Sequence, residues 1–192
     1  MATITAFESV TLDGVMQAPG RPDEDPRGGF EHGGWALPYR DEVAGRFAAE
    51  GMSQGGALLF GHRTYDDLMG FWTSAPEPNP FNGALIAADK FVVTRRRDIR
   101  LDHPNSTALV GEAADTVTRL RAERDGGITV LGSGELVRSL LAAGLVDEVV
   151  LLHHPLVLGS GVKLFDATPL TFDLRRSLTT TTGVIIGQYA VR

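Results

Sequence analysis

Three times in this chain a short apolar run stops at a small residue or glycine and passes directly into residues suited to holding phosphate. The runs are Ala57-Leu58-Leu59-Phe60 into Gly61-His62-Arg63-Thr64, Phe91-Val92-Val93 into Thr94-Arg95, and Ile128-Thr129-Val130-Leu131 into Gly132-Ser133-Gly134-Glu135-Leu136. An uninterrupted Val/Ile/Leu run reads as a strand buried on both faces, and open α/β sheets collect ligands beyond the carboxyl ends of such strands. Three such ends predict one shared site. Each supplies something an anion needs: free N–H groups at a helix start, a glycine that permits close approach, or an arginine fork. The combination predicts a phosphorylated nucleotide cofactor.

The chain has 192 residues, enough for one domain spanning 1–192 to bury its own core without disulfides or metals. It contains no cysteine, which fits a reducing compartment and rules out disulfides, thiolate zinc sites and cysteine nucleophiles. A net charge of -6 argues against nucleic acid as a general partner, because backbone binding needs a basic face. No apolar run approaches the length of a membrane span, and Met1-Ala2-Thr3-Ile4-Thr5 lacks the regions of a signal peptide. The expectation is a cytoplasmic protein with neither membrane nor nucleic acid as partner.

Residues 2–10 alternate as a first strand, and Thr11 to Gly14 turn out of it. Gln17 to Gly34 is dense in Gly, Pro, Asp and Arg and reads as a long loop lying over a site. Trp35 to Gly51 gives a helix after Pro38, with Val43, Phe47 and Ala48 on one face. Then follow a strand at 57–60, a short helix from Thr64, an irregular proline-rich stretch from Phe71 to Asn82, and strands at 91–94 and 107–109. A helix over 112–124 ends at Gly126-Gly127. A strand at 128–131, a helix at 135–143 and a strand at 146–152 continue the β-α pattern. The tail, 170–178 and 183–191, alternates about Thr179 to Thr182 and reads as a terminal antiparallel hairpin.

Gly61-His62-Arg63-Thr64-Tyr65, Val92-Val93-Thr94-Arg95, Gly132-Ser133-Gly134-Glu135-Leu136, Leu145-Val146-Asp147-Glu148-Val149 and the run from Pro155 to Phe165 follow one another along the chain. In this order they resemble the reductase domain of the riboflavin-biosynthesis deaminase/reductase proteins, in the superfamily that includes dihydrofolate reductase. Ser9-Val10-Thr11-Leu12-Asp13-Gly14-Val15 is similar to that family's S-x-D-G opening, with the spacing stretched between Ser9 and Leu12. The resemblance implies an α/β fold: a mixed, mostly parallel sheet flanked by helices, ending in an antiparallel hairpin. It also implies NADPH lying across strand ends and hydride transfer to a small heterocyclic or sugar-derived molecule. With no C-x-x-C pair, the chain has no zinc-deaminase signature.

By position in that resemblance, Gly61, Arg63 and Thr64 look like adenosine and phosphate contacts, and Thr94 and Arg95 like the receiver of the 2′-phosphate. Gly132, Ser133, Gly134, Glu135 and Leu136 look like the pyrophosphate turn, helped by the helix dipole. The nicotinamide would then lie near Asp13, Gly14 and Val15, with Gly14, Val15 and Trp35 toward substrate. Plainer readings stand beside these. Gly132-Ser133-Gly134 serves equally as a strand-to-helix turn, and it is no dinucleotide fingerprint because Val137 stands where a third glycine belongs. Asp-Gly at 13–14 is a common turn pair. Asp41 or Glu42, early in a helix after Leu37-Pro38, resembles the substrate-binding carboxylate of dihydrofolate reductase, although the spacing to Gly61 differs and acids there also compensate a helix N-terminus. A cation at Arg63 opposes that dipole unless an anion joins it.

Hydride transfer asks little of side chains, since the cofactor carries the chemistry and the protein orients it and excludes water. Asp13 and Asp41 are the catalytic candidates, with Glu42 or a bound water as other proton donors. Phe30, Trp35, Tyr39, Phe71 and Trp72 offer an apolar wall for a flat substrate. His153 and His154, adjacent on a strand, point to opposite faces and do not share a metal. The sequence thus predicts an NADPH-dependent reductase, or else a nucleotide-binding or ligand-sensing module of the same fold without turnover. Exposed alternation in the tail, together with the resemblance, predicts a homodimer.

Overall fold

The computed structural model describes residues 1–53, 56–74, 80–165 and 169–192. It contains one eight-stranded sheet in the order β4-β3-β2-β5-β1-β6-β8-β7. The chain divides into two compact units: Met1–Ala6 with Ala49–Asp147, and Phe7–Ala48 with Glu148–Arg192. The first strand, β1 (Thr3–Thr11), contributes to both.

The first unit is a parallel α/β arrangement. Strand β2 (Ala57–Gly61) pairs in parallel with β3 (Lys90–Thr94) and β5 (Gly127–Val130). Parallel pairs of β3 with β4 (Ser106–Val110) and of β5 with β1 extend it on either side. Ala57, Leu58, Leu59 and Phe60 are all buried, as a central parallel strand requires. Leu58 and Phe60 pack with Tyr65 and Met69 of α2 (His62–Thr73), Leu85 of α3 (Pro80–Ala87) and Val92. Helix α4 (Ala113–Glu123) buries Thr116, Val117 and Leu120, and α5 (Gly134–Ala142) buries Leu136, Val137, Leu140 and Leu141. Arg121 clasps the start of β1: Nε donates to the Ala2 carbonyl at 3.2 Å and Nη2 to Asp147 at 2.6 Å, while the other Asp147 oxygen accepts from the Ile4 N–H.

The second unit is antiparallel at its sheet edge. Strand β8 (Ile185–Val191) lies between β6 (Glu148–His154) and β7 (Phe172–Thr179), antiparallel to both. Helix α1 (Glu42–Ser53) half-buries Val43, Phe47 and Ala48, and Arg176 of β7 stacks on the Phe47 ring at 5.1 Å. The loop from Gln17 to Gly34 is irregular apart from a 3-10 turn at Arg27–Gly29. The Gly34 N–H donates to the Ala18 carbonyl at 2.8 Å, and side chains add to this order. Gln17 Nε2 donates to the Asp25 and Arg27 carbonyls, and Gln17 Oε1 accepts from the Val162 N–H.

Most expected elements are found within two residues of their anticipated ends, and the mixed sheet with its terminal hairpin is as expected. Three expectations need correction. Trp35 to Arg40 is not α-helical: Leu37–Tyr39 is a 3-10 turn, and α1 starts after Asp41, whose side chain caps the Val43 N–H. The helix expected from Thr64 begins at His62 and runs for 12 residues. The stretch from Phe71 to Asn82 is helical at both ends, because α2 continues to Thr73 and α3 starts at Pro80; residues 75–79 lie outside the described residues.

Candidate functional site

In the first unit, parallel pairing sets the carboxyl ends of β2, β3 and β5 side by side. Gly61 opposes Val93, so Thr94 lies one residue beyond it. The Gly61 N–H donates to the Gly132 carbonyl at 3.0 Å, and a Cβ at Gly61 would stand 2.9 Å from the Ser133 hydroxyl. A side chain at 61 would push into the turn after β5. Gly132 has φ of 89°, where glycine carries no steric penalty, and its peptide to Ser133 is cis. The turn delivers the chain into α5 with Ser133 as N-cap.

Neither α2, capped by Gly61, nor α5 has a side-chain hydrogen bond at its N-cap. Both therefore present N–H groups and the positive end of the helix dipole beside the same two glycines. Arg63 and Thr64 fall in the first turn of α2, where Arg63 is exposed and forms no ion pair among the described residues. Glu135 is exposed while Gly134 and Leu136 are buried, so the backbone rather than the Leu136 side chain is what this turn offers a ligand. Such a donor set fits a phosphorylated ligand.

Thr94 is buried, and its hydroxyl accepts from the Arg96 N–H at 3.1 Å. Arg95 is the residue whose surroundings the sequence did not disclose. Its Nε and Nη2 reach the two oxygens of Glu112 at 2.8 and 2.9 Å. Hydrogen bonding to Arg95 holds the Glu112 carboxyl below its ordinary range, and Glu135 adds a further negative charge near Arg95. Glu112, at the N-cap of α4, went unnoticed because nothing in its neighbouring residues marks it as an arginine partner.

In the second unit the carboxylates are anchored. Asp13 accepts from the Thr11 hydroxyl at 2.6 Å and from the Leu158 and Gly159 N–H groups at 3.3 and 2.8 Å. These bonds, that of Thr11 foremost, lower its pKa to about 2. Asp41 accepts from the Val43 N–H at 2.6 Å and from the Thr181 N–H and hydroxyl, tying the start of α1 to the β7-β8 turn. The Thr181 hydroxyl is the main cause of its lowered pKa. Glu42 is exposed, paired weakly with Arg46. Gly14, with φ of 81°, turns the chain so that Val15 bridges Lys163. Val15 and Trp35 pack with Ala18 and Phe30, and the Trp35 Nε1–H donates to the Gln17 carbonyl at 2.7 Å.

Two residues of this unit were not singled out by sequence reasoning for what they do. His154 is buried, its ring meeting Trp35 and Tyr39 edge-on at 5.0 and 5.6 Å; burial lowers its pKa, favouring the neutral ring. Glu8 lies on the inward face of β1 with Ile4, Ala6 and Val10 and is only 7% exposed. Its Oε1 has no hydrogen-bond partner among the described residues. Burial above all, then the negative charge of Glu24, pushes its pKa up to about 8, so the carboxyl is largely protonated at neutral pH.

The family described as the RibD C-terminal domain matches residues 2–186. This chain belongs to the RibD C-terminal domain family. Solved structures show the same fold. A Shewanella sp. PV-4 protein named for riboflavin biosynthesis is 20% identical, with 100% of this chain and 99% of that one covered and a TM-score of 0.67. A pyrimidine reductase-like protein from Corynebacterium diphtheriae is 11% identical over 100% and 92% of the two chains, with a TM-score of 0.65. Dihydrofolate reductase from Enterococcus faecalis, complexed with NADP(H) and RAB-propyl, is 13% identical over 99% and 96%, with a TM-score of 0.64. No curated protein sequence matches. The β2 and β5 ends, with their open helix starts, offer this chain's backbone N–H groups to an anionic ligand.

Proposed function

We propose that this chain is an NADPH-dependent oxidoreductase acting on a small heterocyclic or sugar-derived molecule. The observation that carries this reading is the meeting of two uncapped helix starts, those of α2 and α5, at Gly61 and Gly132 in the first unit. Membership of the RibD C-terminal domain family supports it. In this reading Gly61, Arg63 and Thr64 receive adenosine and phosphate groups, Gly132 to Leu136 receive the pyrophosphate, and Thr94 and Arg95 receive the 2′-phosphate. The cofactor supplies a hydride when bound. The chain's own residues bind and orient it and exclude water. Gly14, Val15 and Trp35 are proposed to face the substrate. Asp13 and Asp41, as ionised anchors, would act by fixing the loops around it. We further propose a cytoplasmic homodimer.

Arg95 must part from Glu112 to take a phosphate, and an exposed ion pair opens at little cost. NADPH should therefore bind roughly tenfold tighter than NADH, the gain expected of one charge-assisted contact. Titration calorimetry with both cofactors tests this. Arg95→Ala should remove most of the preference, and Glu112→Gln, which releases the fork, should strengthen NADPH binding several-fold. Equal affinity of the unaltered protein for NADPH and NADH would refute the assignment.

A further inference from the structure

We propose that Glu8 is a ligand-contacting residue of the second unit, its carboxyl hydrogen-bonding the polar edge of an uncharged small molecule. The inference deepens the reading above and rests on the small-molecule role given there to this unit. It starts from the alternation of β1, which sends Ile4, Ala6, Glu8 and Val10 to the same buried face. Three of the four are apolar. A carboxyl in that row loses its water, and Oε1 gains no bond in return among the described residues. Buried polar atoms are almost always satisfied, and an exception calls for a partner that protein atoms alone do not provide. A bound ligand supplies one.

The surroundings describe what that ligand is. The charge acting on Glu8 is that of Glu24 in the 17–34 loop, whose Oε2 is already held by the Gly20 and Arg21 N–H groups at 2.6 and 3.1 Å. A second anion has no place beside these two carboxyls. No lysine or arginine pairs with Glu8 among the described residues, so the low-cost form of its side chain is the neutral acid. A neutral carboxyl offers one O–H donor and one carbonyl acceptor on the same edge. Its complement is an adjacent acceptor and N–H, as in a cyclic amide. Two residues along β1, the His154 ring lies against the Val10 main chain, with Trp35 and Tyr39 edge-on to it. Burial favours the neutral form of His154, so what lies against Val10 is aromatic surface that carries little charge. A flat, uncharged heterocycle suits both features.

The test uses 2-pyridone, a cyclic amide, and benzoate, an anion of similar size, with the full chain labelled with carbon-13 at glutamate carboxyls. The Glu8 resonance is assigned by its loss in Glu8→Gln. Saturable movement of that resonance by 2-pyridone, with benzoate at least tenfold weaker, is the expected result. Glu8→Gln, which keeps a donor and an acceptor, should bind 2-pyridone within about threefold of the unaltered chain, and Glu8→Leu at least tenfold more weakly while melting no earlier. Unchanged affinity in Glu8→Leu, a preference for benzoate, or no saturable shift at Glu8 would overturn the proposal. If Glu8→Leu does not fold, the resonance of the unaltered chain and the Gln variant still decide. NADPH binding to the same preparations, followed by fluorescence, is read separately. NADPH binding with a silent Glu8 sinks this inference and leaves the reductase reading standing, and the reverse pattern does the opposite.

Discussion

A carboxyl buried without a cation beside it couples stability to pH in a definite sense. Glu8 titrates at about 8 in the folded chain and near 4.5 when unfolded, so between those values the native state holds a proton the unfolded state has released. Its contribution is fully present below pH 4.5, declines by about 1.4 kcal/mol per pH unit and is lost above pH 8. Urea unfolding of Glu8→Gln should show that the variant gains on the unaltered chain by roughly 2 to 4 kcal/mol between pH 5 and pH 8. A constant difference across that range would show that Glu8 titrates normally. Asp13 works the other way: its stabilising bonds persist above the ordinary carboxylate range and fail as pH falls through about 2. At this scale the sequence was partly legible. Gly61 and Gly132 were readable at the ends of apolar runs, whereas Glu8, in step with Ile4, Ala6 and Val10, passed as part of an ordinary alternating strand. The partners of Asp41 and Arg95 were not visible, because Thr181 lies 140 residues from the first and Glu112 lies 17 from the second, both joined only by the fold.

Elements whose apolar residues repeat with a clear period were readable, and those without one were not. Strand β2 is a continuous apolar run, and α4 carries Val117 and Leu120 at helical spacing; both stand where the pattern put them. Helix α3 was missed because Pro-Phe-Asn-Gly-Ala-Leu-Ile-Ala has no polar face to betray a period. What ends it lies outside its own sequence. Lys90 of β3 is fully buried, and its three ammonium protons go to the carbonyls of Leu85, Ile86 and Ala88 at 2.9, 2.9 and 2.7 Å. The lysine serves as a C-cap delivered from a strand. Lys90→Met keeps the length of the side chain and deletes the donors, and should cost about 2 to 3 kcal/mol in chemical denaturation. A loss under about 0.5 kcal/mol would mean that water replaces the cap. At the turn after β5, Gly132→Val faces a positive φ and should both abolish NADPH binding and destabilise by about 1 to 2 kcal/mol. Undiminished affinity by calorimetry would move the cofactor elsewhere.

For the molecule as a whole, the division into two units also divides the proposed site residues. Gly61, Arg63, Thr64, Thr94, Arg95 and 132–136 belong to the parallel unit, whereas Asp13, Gly14, Val15, Trp35, Asp41 and Glu8 belong to the antiparallel one. The tail was legible as a hairpin, yet not the position of β8 inside the trio β6-β8-β7, because alternation reports which face is buried and not which neighbour a strand takes. Truncation after Ser177 removes all of β8 and strips β6 of its antiparallel partner. The shortened chain should be insoluble on expression. A soluble, cooperatively melting product would show that β8 is dispensable, and a monomeric mass of the full chain by light scattering would exclude the proposed dimer.

The placing of β8 also bears on how the chain is made. A ribosome releases β6 first, then β7, and β8 last, although the last strand is the one that both earlier strands need. Until it emerges, β6 and β7 each carry an unpaired edge, the kind of surface on which nascent chains join one another or are held by chaperones. The parallel unit has no such delay, since Gly127–Val130 and the strands it joins are all translated before β6. Nascent chains stalled before Ile185 should therefore resist protease over 57–61 and 113–142 while remaining cleavable across β7.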